Sequence, residues 1–395
     1  MSWETVKLDD ICELITCGVA KRPEYVDDGI PFLSSLNVKE NRFILKSFKK
    51  ISFEDYQRLN KYSKPEVGDI LYTRVGSFGE AAVIDLDFKF SIFVSLTLIK
   101  PKKDIIDSRF LMWHLNSPNV KDFASKNTSG IGVQNLNVGV VRKYKIPLPP
   151  LTMQKQIAEI LDKADALRKK DLELLKHYTT LAEGLFIDMF GDPVKNEKDW
   201  NMRKLGEFTS LVSSGATPLG GSKIYQKTGI HFIRSQNVLM HKVCYDGISC
   251  ISDDIHNTMK RTWVKNQDVL LNITGASIGR VAVFEGKDNV ANVNQHVCII
   301  RTMREKLVPL YLSNLISNNS FQTKSIGNST GGTREAFNFN QIKSFDIIYP
   351  PIELQNQFAT QIQNIELQKE KVKAQIQASE NLFQALLQRT FKDGL

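Results

Sequence analysis

The sequence predicts an α+β protein in which one α/β unit is used twice, the two copies being joined by two long helices that form an antiparallel coiled coil. Three observations predict it. Similar stretches recur at a spacing of about 200 residues along the whole chain, too long a period for a solenoid and right for a duplicated domain. Each copy is made of short β-like runs and ends in a Pro-Pro pair at Pro149-Pro150 and Pro350-Pro351. Each Pro-Pro pair is followed by a long run of apolar residues in steps of three and four, the signature of a helix with a coiled-coil seam.

The repeat can be followed from the start of the chain. Trp3, Lys7-Leu8 and Gly18 return as Trp200, Lys204-Leu205 and Gly215. "GIPFLSSLNV" (29–38) is answered by "GIHFIRSQNV" (229–238), and "GDILYTRVGSFG" (68–79) by the one-residue-longer "QDVLLNITGASIG" (267–279). "NTSGIGVQNLNVGVVRKYKIPLPPL" (127–151) is answered by "NSTGGTREAFNFNQIKSFDIIYPPI" (328–352). Runs such as "DILYT", "AAVID", "SLTLI" and "DVLLNI", "VAVFE", "HVCIIR" read as strands parted by Gly, Asp and Asn, with "SRFLMWHLNS" and "VPLYLSNLIS" as short helices between them.

At each junction the prolines lack amide donors and push their predecessors into extended conformation, so they end a strand and set the exit angle of a helix. Thr152 is the expected N-cap of the first helix. Its expected seam is Ile157, Ile160, Ala164, Leu167, Asp171, Leu174, Tyr178, Leu181 and Leu185, and "GDP" at 191–193 stops it. In the second helix the seam is Phe358, Ile362, Ile365, Lys369, Val372, Ile376, Ser379, Phe383 and Leu386. Each helix, at roughly 38 residues, would run about 57 Å. The expected divisions are a first domain at 1–150, a helix at 151–195, a second domain at 196–350 and a second helix at 351–395.

Composition bounds the function. The net charge is +9, with 22 basic against 18 acidic residues over 1–150 and 18 against 11 over 198–350, whereas 151–197 and 351–395 carry no excess of base. Two basic segments suggest two surfaces for a polyanion. No apolar run approaches a membrane span and the first residues lack a signal-peptide pattern, so the expected location is the cytoplasm, with no membrane association. Five cysteines without a C-x-x-C pair point to reduced thiols, and six scattered histidines offer no metal motif. His296 reads either as a core histidine or as one that contacts bases. There is no P-loop, no G-x-G-x-x-G after a strand and no G-x-S-x-G elbow. The Pro-Pro pairs, preceded by Leu148 and Tyr349, do not fit an amino-methyltransferase motif. The residues therefore favour a binder, with no catalytic and no metal-ligating set.

Two domains closing with "NTSGIGVQNLN" and "IPLPPLTMQKQIAEILDKADAL", each followed by a long helix, resemble the specificity subunit of Type I restriction-modification enzymes, across essentially the whole chain. The second copy departs from the pattern where "REAFNF" replaces "GVQNLN". The resemblance implies that each domain is a target recognition domain reading half of a split site in double-stranded DNA. It also implies that the coiled coil is the spacer, and that two modification (methyltransferase) subunits dock on it. S-adenosylmethionine would then sit on the modification subunit, and ATP with Mg on a restriction (translocase and nuclease) subunit, leaving this chain without a cofactor and non-catalytic alone. The expected DNA-binding residues are Ser34, Ser35, Asn37, Arg74, Ser77, Gln134 and Asn135 in the first copy. In the second they are Arg234, Ser235, Gln236, Asn237, Thr274, Ser277, Thr333 and Arg334. Leu161, Leu175, Phe186 and Leu387 are the expected partner-binding positions, as apolar residues the seam leaves uncovered. Gly76, Gly79, Gly275 and Gly279 are expected to serve turn geometry. A stand-alone DNA-binding repressor or scaffold with the same duplication is the rival reading.

Overall fold

The computed structural model describes residues 3–129, 134–286, 291–327 and 336–392. The chain forms two compact units, Met1–Glu173 with Ala374–Leu395, and Leu174–Lys373. Each unit thus takes one α/β domain together with part of both long helices.

In the first unit an antiparallel sheet runs in the order Cys12–Cys17, Leu96–Pro101, Ile70–Thr73, Ala81–Val83. A second sheet runs Ser91–Ile92, Ile30–Leu33, Lys49–Ile51, Tyr25–Val26, with its first pair parallel. Thr5–Lys7 pairs with Lys145–Pro147 and so ties the start of the domain to the strand that leads into the Pro-Pro junction. The second unit repeats this except at the edges of its second sheet, where the fourth strand pairs with Ala291–Val293 rather than with the counterpart of Lys49–Ile51. Thr209–Ser214, Val297–Thr302, Val269–Asn272 and Val281–Val283 form the first sheet, and Ser249–Ile251, Ile230–Ile233, Ala291–Val293 and Trp263–Val264 the second. Met202–Lys204 pairs with Asp346–Ile348.

The repeated glycines have a steric reason. A Cβ on Gly18 would lie 2.2 Å from the Ile92 carbonyl oxygen, and one on Gly215 would lie 1.7 Å from that of Val293, so each permits the same close crossing of two strands. Gly76, Gly79, Gly275 and Gly279 all have positive φ, between 70° and 88°, as their turns require.

The helices are Leu151–Phe190 and Ile352–Lys392, 40 and 41 residues long. Thr152 is not the N-cap of the first. The helix starts one residue earlier, and the Pro150 carbonyl accepts from the amides of Met153 and Gln154, while Pro351 does the same for Leu354 and Gln355. Gly191, with φ of 77°, ends the first helix as expected. In the first unit, Phe383 and Leu387 share a core with Ile157 and Leu161, and Arg168 meets Glu380 at 3.0 Å. In the second unit, Phe186 and Phe190 pack on Phe358 with ring centroids 5.6 and 5.3 Å apart. In the first unit Arg168 meets Glu380 and Asp171 meets Gln375, so residue numbers rise along one helix as they fall along the other and the pair is antiparallel. Each such buried side chain contributes about 1.5–3 kcal/mol.

The second helix's seam is as expected, none of its nine positions being exposed. The first helix's is corrected. Ile160, Leu167, Leu174 and Leu181 are exposed, and Leu161, Arg168, Leu175 and Ala182 turn inward in their place. The steps run four and three rather than three and four, because long polar side chains take part. Arg168 pairs with Asp165 and Glu380 and lies over the Phe383 ring at 4.8 Å. Asp171 is buried in the seam and accepts from the Gln375 amide at 2.9 Å.

Candidate nucleic-acid interface

In each unit, three loops that are far apart in sequence meet at one end of the sheets. In the first unit the turn after Ile30–Leu33 is held by Asn37, which is 2% exposed. Its side-chain oxygen accepts from the Ser34 amide at 2.9 Å, and its nitrogen donates to the carbonyls of Ile44 and Ser47 at 2.9 and 2.8 Å. The Ser35 amide donates to Ser95 Oγ at 2.9 Å, joining this turn to the loop before Leu96–Pro101. Arg74 is buried and braces the next two loops: its Nε donates to the Leu136 carbonyl at 2.9 Å and its Nη1 to that of Val94 at 3.0 Å. Gly76 then donates to the Gln134 carbonyl, and Val75 bridges Asn135.

Ser35, Ser77, Gln134 and Asn135 are therefore gathered into one cluster, with Ser34 half-buried beside them. Asn37 and Arg74 are buried and act as braces, Asn37 through its side-chain oxygen and nitrogen and Arg74 through Nε and Nη1, each bonded to the backbone. Arg22 was not singled out in the sequence, yet it lies 5.6 Å over the Phe93 ring, two residues from Ser95.

The second unit repeats the frame. Asn237, again 2% exposed, accepts from the Arg234 amide and donates to the Cys244 carbonyl at 3.1 Å each, so it too is a brace. Asn272 is buried and donates to the carbonyls of Ser235 and Val238. Ser235, Gln236, Thr274, Ser277, Arg280 and His296 line one concavity of about 410 Å³. Arg234 lies 5.4 Å over the Tyr225 ring, and its Nε is buried without a partner. Thr333 and Arg334 lie outside the described residues.

His296 is neither a core residue nor wholly free, since it is half-buried on the wall of the concavity. Its Nδ1 is 2.6 Å from Thr274 Oγ1 and its Nε2 is 3.3 Å from Gln295 Nε2, while Thr217 donates to the Gln295 side-chain oxygen. With the Gln295 amide donating to Nε2, Nδ1 carries the proton and donates to Thr274, whose hydroxyl hydrogen is then free to face the concavity. Arg280 and Gln295 were not found beside His296 in the sequence, because nothing in their spacing shows that two loops converge.

The expected partner positions are mostly covered. Leu161, Phe186 and Leu387 are buried in their own units' cores and Leu175 is half-buried. Among the uncovered apolar side chains of the first helix, Ile160, Leu167, Leu174 and Leu181 stand one heptad apart, and Leu172 and Ile187 are exposed as well.

Among the described residues no group of three or more His, Cys, Asp or Glu is placed to hold a metal. Burial pushes the thiols of Cys12 and Cys298 up to about 12, as suits packing residues. Among the described residues no helix is long and apolar enough to cross a membrane. Burial would raise the Asp165 carboxyl, but hydrogen bonds from Lys169, Asn41 and Arg168 hold it below the usual carboxylate range, fixing the 38–43 hairpin to the first helix.

Comparison with known proteins agrees with this architecture. The chain is 24% identical to the Type I restriction enzyme MjaVIII specificity subunit of Methanocaldococcus jannaschii, over 98% of this chain and 92% of that protein. It is 23% identical to the Type I restriction enzyme EcoBI specificity subunit of Escherichia coli, over 100% and 86%. Its fold is similar to the crystal structure of the Type I restriction-modification S subunit from M. genitalium, with a TM-score of 0.64, 13% identity and coverage of 100% and 97%. A chain from a structure of type I R-M complex assembly gives 0.61 at 17% identity, covering 100% and 98%. Residues 1–177 and 197–378, both copies of the repeat, match the Type I restriction modification DNA specificity domain, and the chain belongs to that family.

Proposed function

We propose that this chain is the part of a Type I restriction-modification complex that chooses the DNA sequence, each domain reading one half of a bipartite site. The observation that carries the reading is the duplicated loop cluster. Two equivalent sets of polar side chains are presented on rigid braces, in the two segments that hold the excess of positive charge. Lysines and arginines around each cluster would hold phosphates and make affinity fall with salt, while the cluster residues contact base edges. In the first copy the readers are Ser34, Ser35, Ser77, Gln134 and Asn135, positioned by Asn37 and Arg74. In the second they are Ser235, Gln236, Thr274 and Ser277 with Arg280 and His296, positioned by Asn237.

The coiled coil is the spacer that sets the unread gap. Two modification subunits dock along it, on the uncovered stripe of Ile160, Leu167, Leu174 and Leu181 rather than on the buried Leu161, Phe186 and Leu387. Methyl transfer from S-adenosylmethionine belongs to those subunits, which take the target base out of the duplex, and ATP-driven cleavage to restriction subunits. The chain alone is non-catalytic.

The test is reconstitution with a modification subunit, followed by sequencing of methylated DNA. A split motif that vanishes when this chain is omitted is the expected result. A mixture that neither co-purifies nor methylates a split motif would sink the reading.

A further inference from the structure

The turn that opens each loop cluster is a fixed pedestal with a different head in the two copies. Residues 32–40 and 232–240 share one pattern of buried and exposed positions, residue for residue. In both, an asparagine at the base pins the turn, Asn37 in the first copy and Asn237 in the second. The Ser35 amide, bonded to Ser95 Oγ, fixes the first pedestal from its other side. Its tip is Leu36, which is 81% exposed, where the second copy carries Gln236.

Leu36 contributes nothing to the first unit's core, although burying a leucine would normally stabilise a fold. The pinned backbone leaves it no way to fold back. Beside it are the hydroxyls of Ser34 and Ser35, able to exchange hydrogen bonds with polar base edges. A leucine among them supplies the one contact they cannot make.

We propose that Leu36 is a specificity-determining side chain of the first domain that packs against the C5-methyl of a thymine in the major groove of the first half-site. This rests on the half-site reading given above. Thymine presents a methyl group at that edge, and apolar side chains contact it favourably. Cytosine has only a C5–H at the same place and a polar N4 donor beside it, so it forfeits the methyl contact and the leucine favours thymine over its competitor. Gln236 on the matching pedestal offers an amide, which suits the N6 and N7 pair of adenine. Exchanging the head therefore changes the base read while the pedestal stays.

The experiment uses the full chain in complex with its modification subunits, on duplexes carrying the motif found by methylation sequencing. Each thymine of the first half-site is replaced singly by 2′-deoxyuridine, which removes the methyl and leaves the pairing unchanged. One replacement should weaken binding of the unmodified complex about three- to five-fold, the effect expected for one buried methyl. That loss should be absent in Leu36→Ala, while replacements in the second half-site affect both proteins alike. Leu36→Gln should change the base at that position of the methylated motif and leave the gap and the other half-site as they were. The proposal is overturned if no deoxyuridine position weakens the unmodified complex, if the loss persists in Leu36→Ala, or if Leu36→Gln keeps the original motif. A complex that methylates no split motif at all overturns the half-site reading itself, and Leu36 falls with it.

Discussion

Gln154 and Gln355 do at the scale of one residue what the Pro-Pro junction does for the chain. Both are fully buried. The Gln154 amide donates to the carbonyls of Pro149 and Ile105 at 2.8 and 3.1 Å, and its oxygen accepts from the Asp107 amide at 2.8 Å. Gln355 bonds Pro350, Lys306 and Val308 in the same way. Each proline carbonyl that the junction leaves without a strand partner is thus satisfied by the helix it launches. Gln154→Ala should destabilise the first unit by about 2–4 kcal/mol, since it strands two carbonyls and an amide away from water. Gln154→Glu should cost at least as much, because a carboxylate cannot donate to either carbonyl. Urea unfolding checks both, and a loss below about 0.5 kcal/mol in each variant would rule the bolt out. The pair was visible in the sequence as a glutamine repeated four residues after each Pro-Pro, but a polar residue on a helix reads as solvent-facing until its burial is known. The bracing by Asn37 and Arg74 was hidden for the opposite reason, since turn residues read as free when the backbone carbonyls they bond lie elsewhere in the sequence.

At the scale of elements, the sequence made the second long helix fully legible and the first only in half of its positions. Heptad stepping identifies a helix and one edge of its seam, and Ile157, Ala164, Asp171, Tyr178 and Leu185 are all at least half-buried. The other edge depends on what each side chain meets across the interface. Arg168, drawn in by Asp165, Glu380 and Phe383, moves that edge by one residue and leaves leucines outside. The two edges therefore separate stability from docking. Leu167→Lys and Leu174→Glu should leave unfolding of the chain within about 0.5 kcal/mol of the original, because neither is in a core. They should still reduce co-purification with modification subunits at least ten-fold. Phe186→Ala and Leu387→Ala should instead cost about 2–5 kcal/mol of stability by opening cavities. Retained docking by the Leu167 and Leu174 variants together would remove the stripe as the partner surface.

For the whole molecule the consequence is periodic. An antiparallel pair of helices can be lengthened without disturbing its seam only if both strands gain the same whole heptad, inserted near residues 173 and 373 where the two units meet along the chain. One heptad adds about 10.5 Å at 1.5 Å per residue, or about three base pairs at 3.4 Å each. Three base pairs turn the duplex by nearly a third of its 10–10.5 base-pair repeat, so the second reader would reach its half-site from the wrong side of the helix. Three heptads add about 31.5 Å, close to one full DNA turn, and return the groove to roughly its starting face. Insertion of one heptad in each helix should thus weaken methylation at every spacing, while three in each should restore it on a motif whose gap is wider by about nine base pairs. Methylation sequencing of the two insertion variants reads both outcomes at once. A gap that stays constant under three heptads would mean that the coiled coil does not set it. Recovery at one heptad, with a gap wider by about three base pairs, would mean that the domains swivel freely on their Pro-Pro junctions, contrary to the anchoring that Gln154 and Gln355 supply.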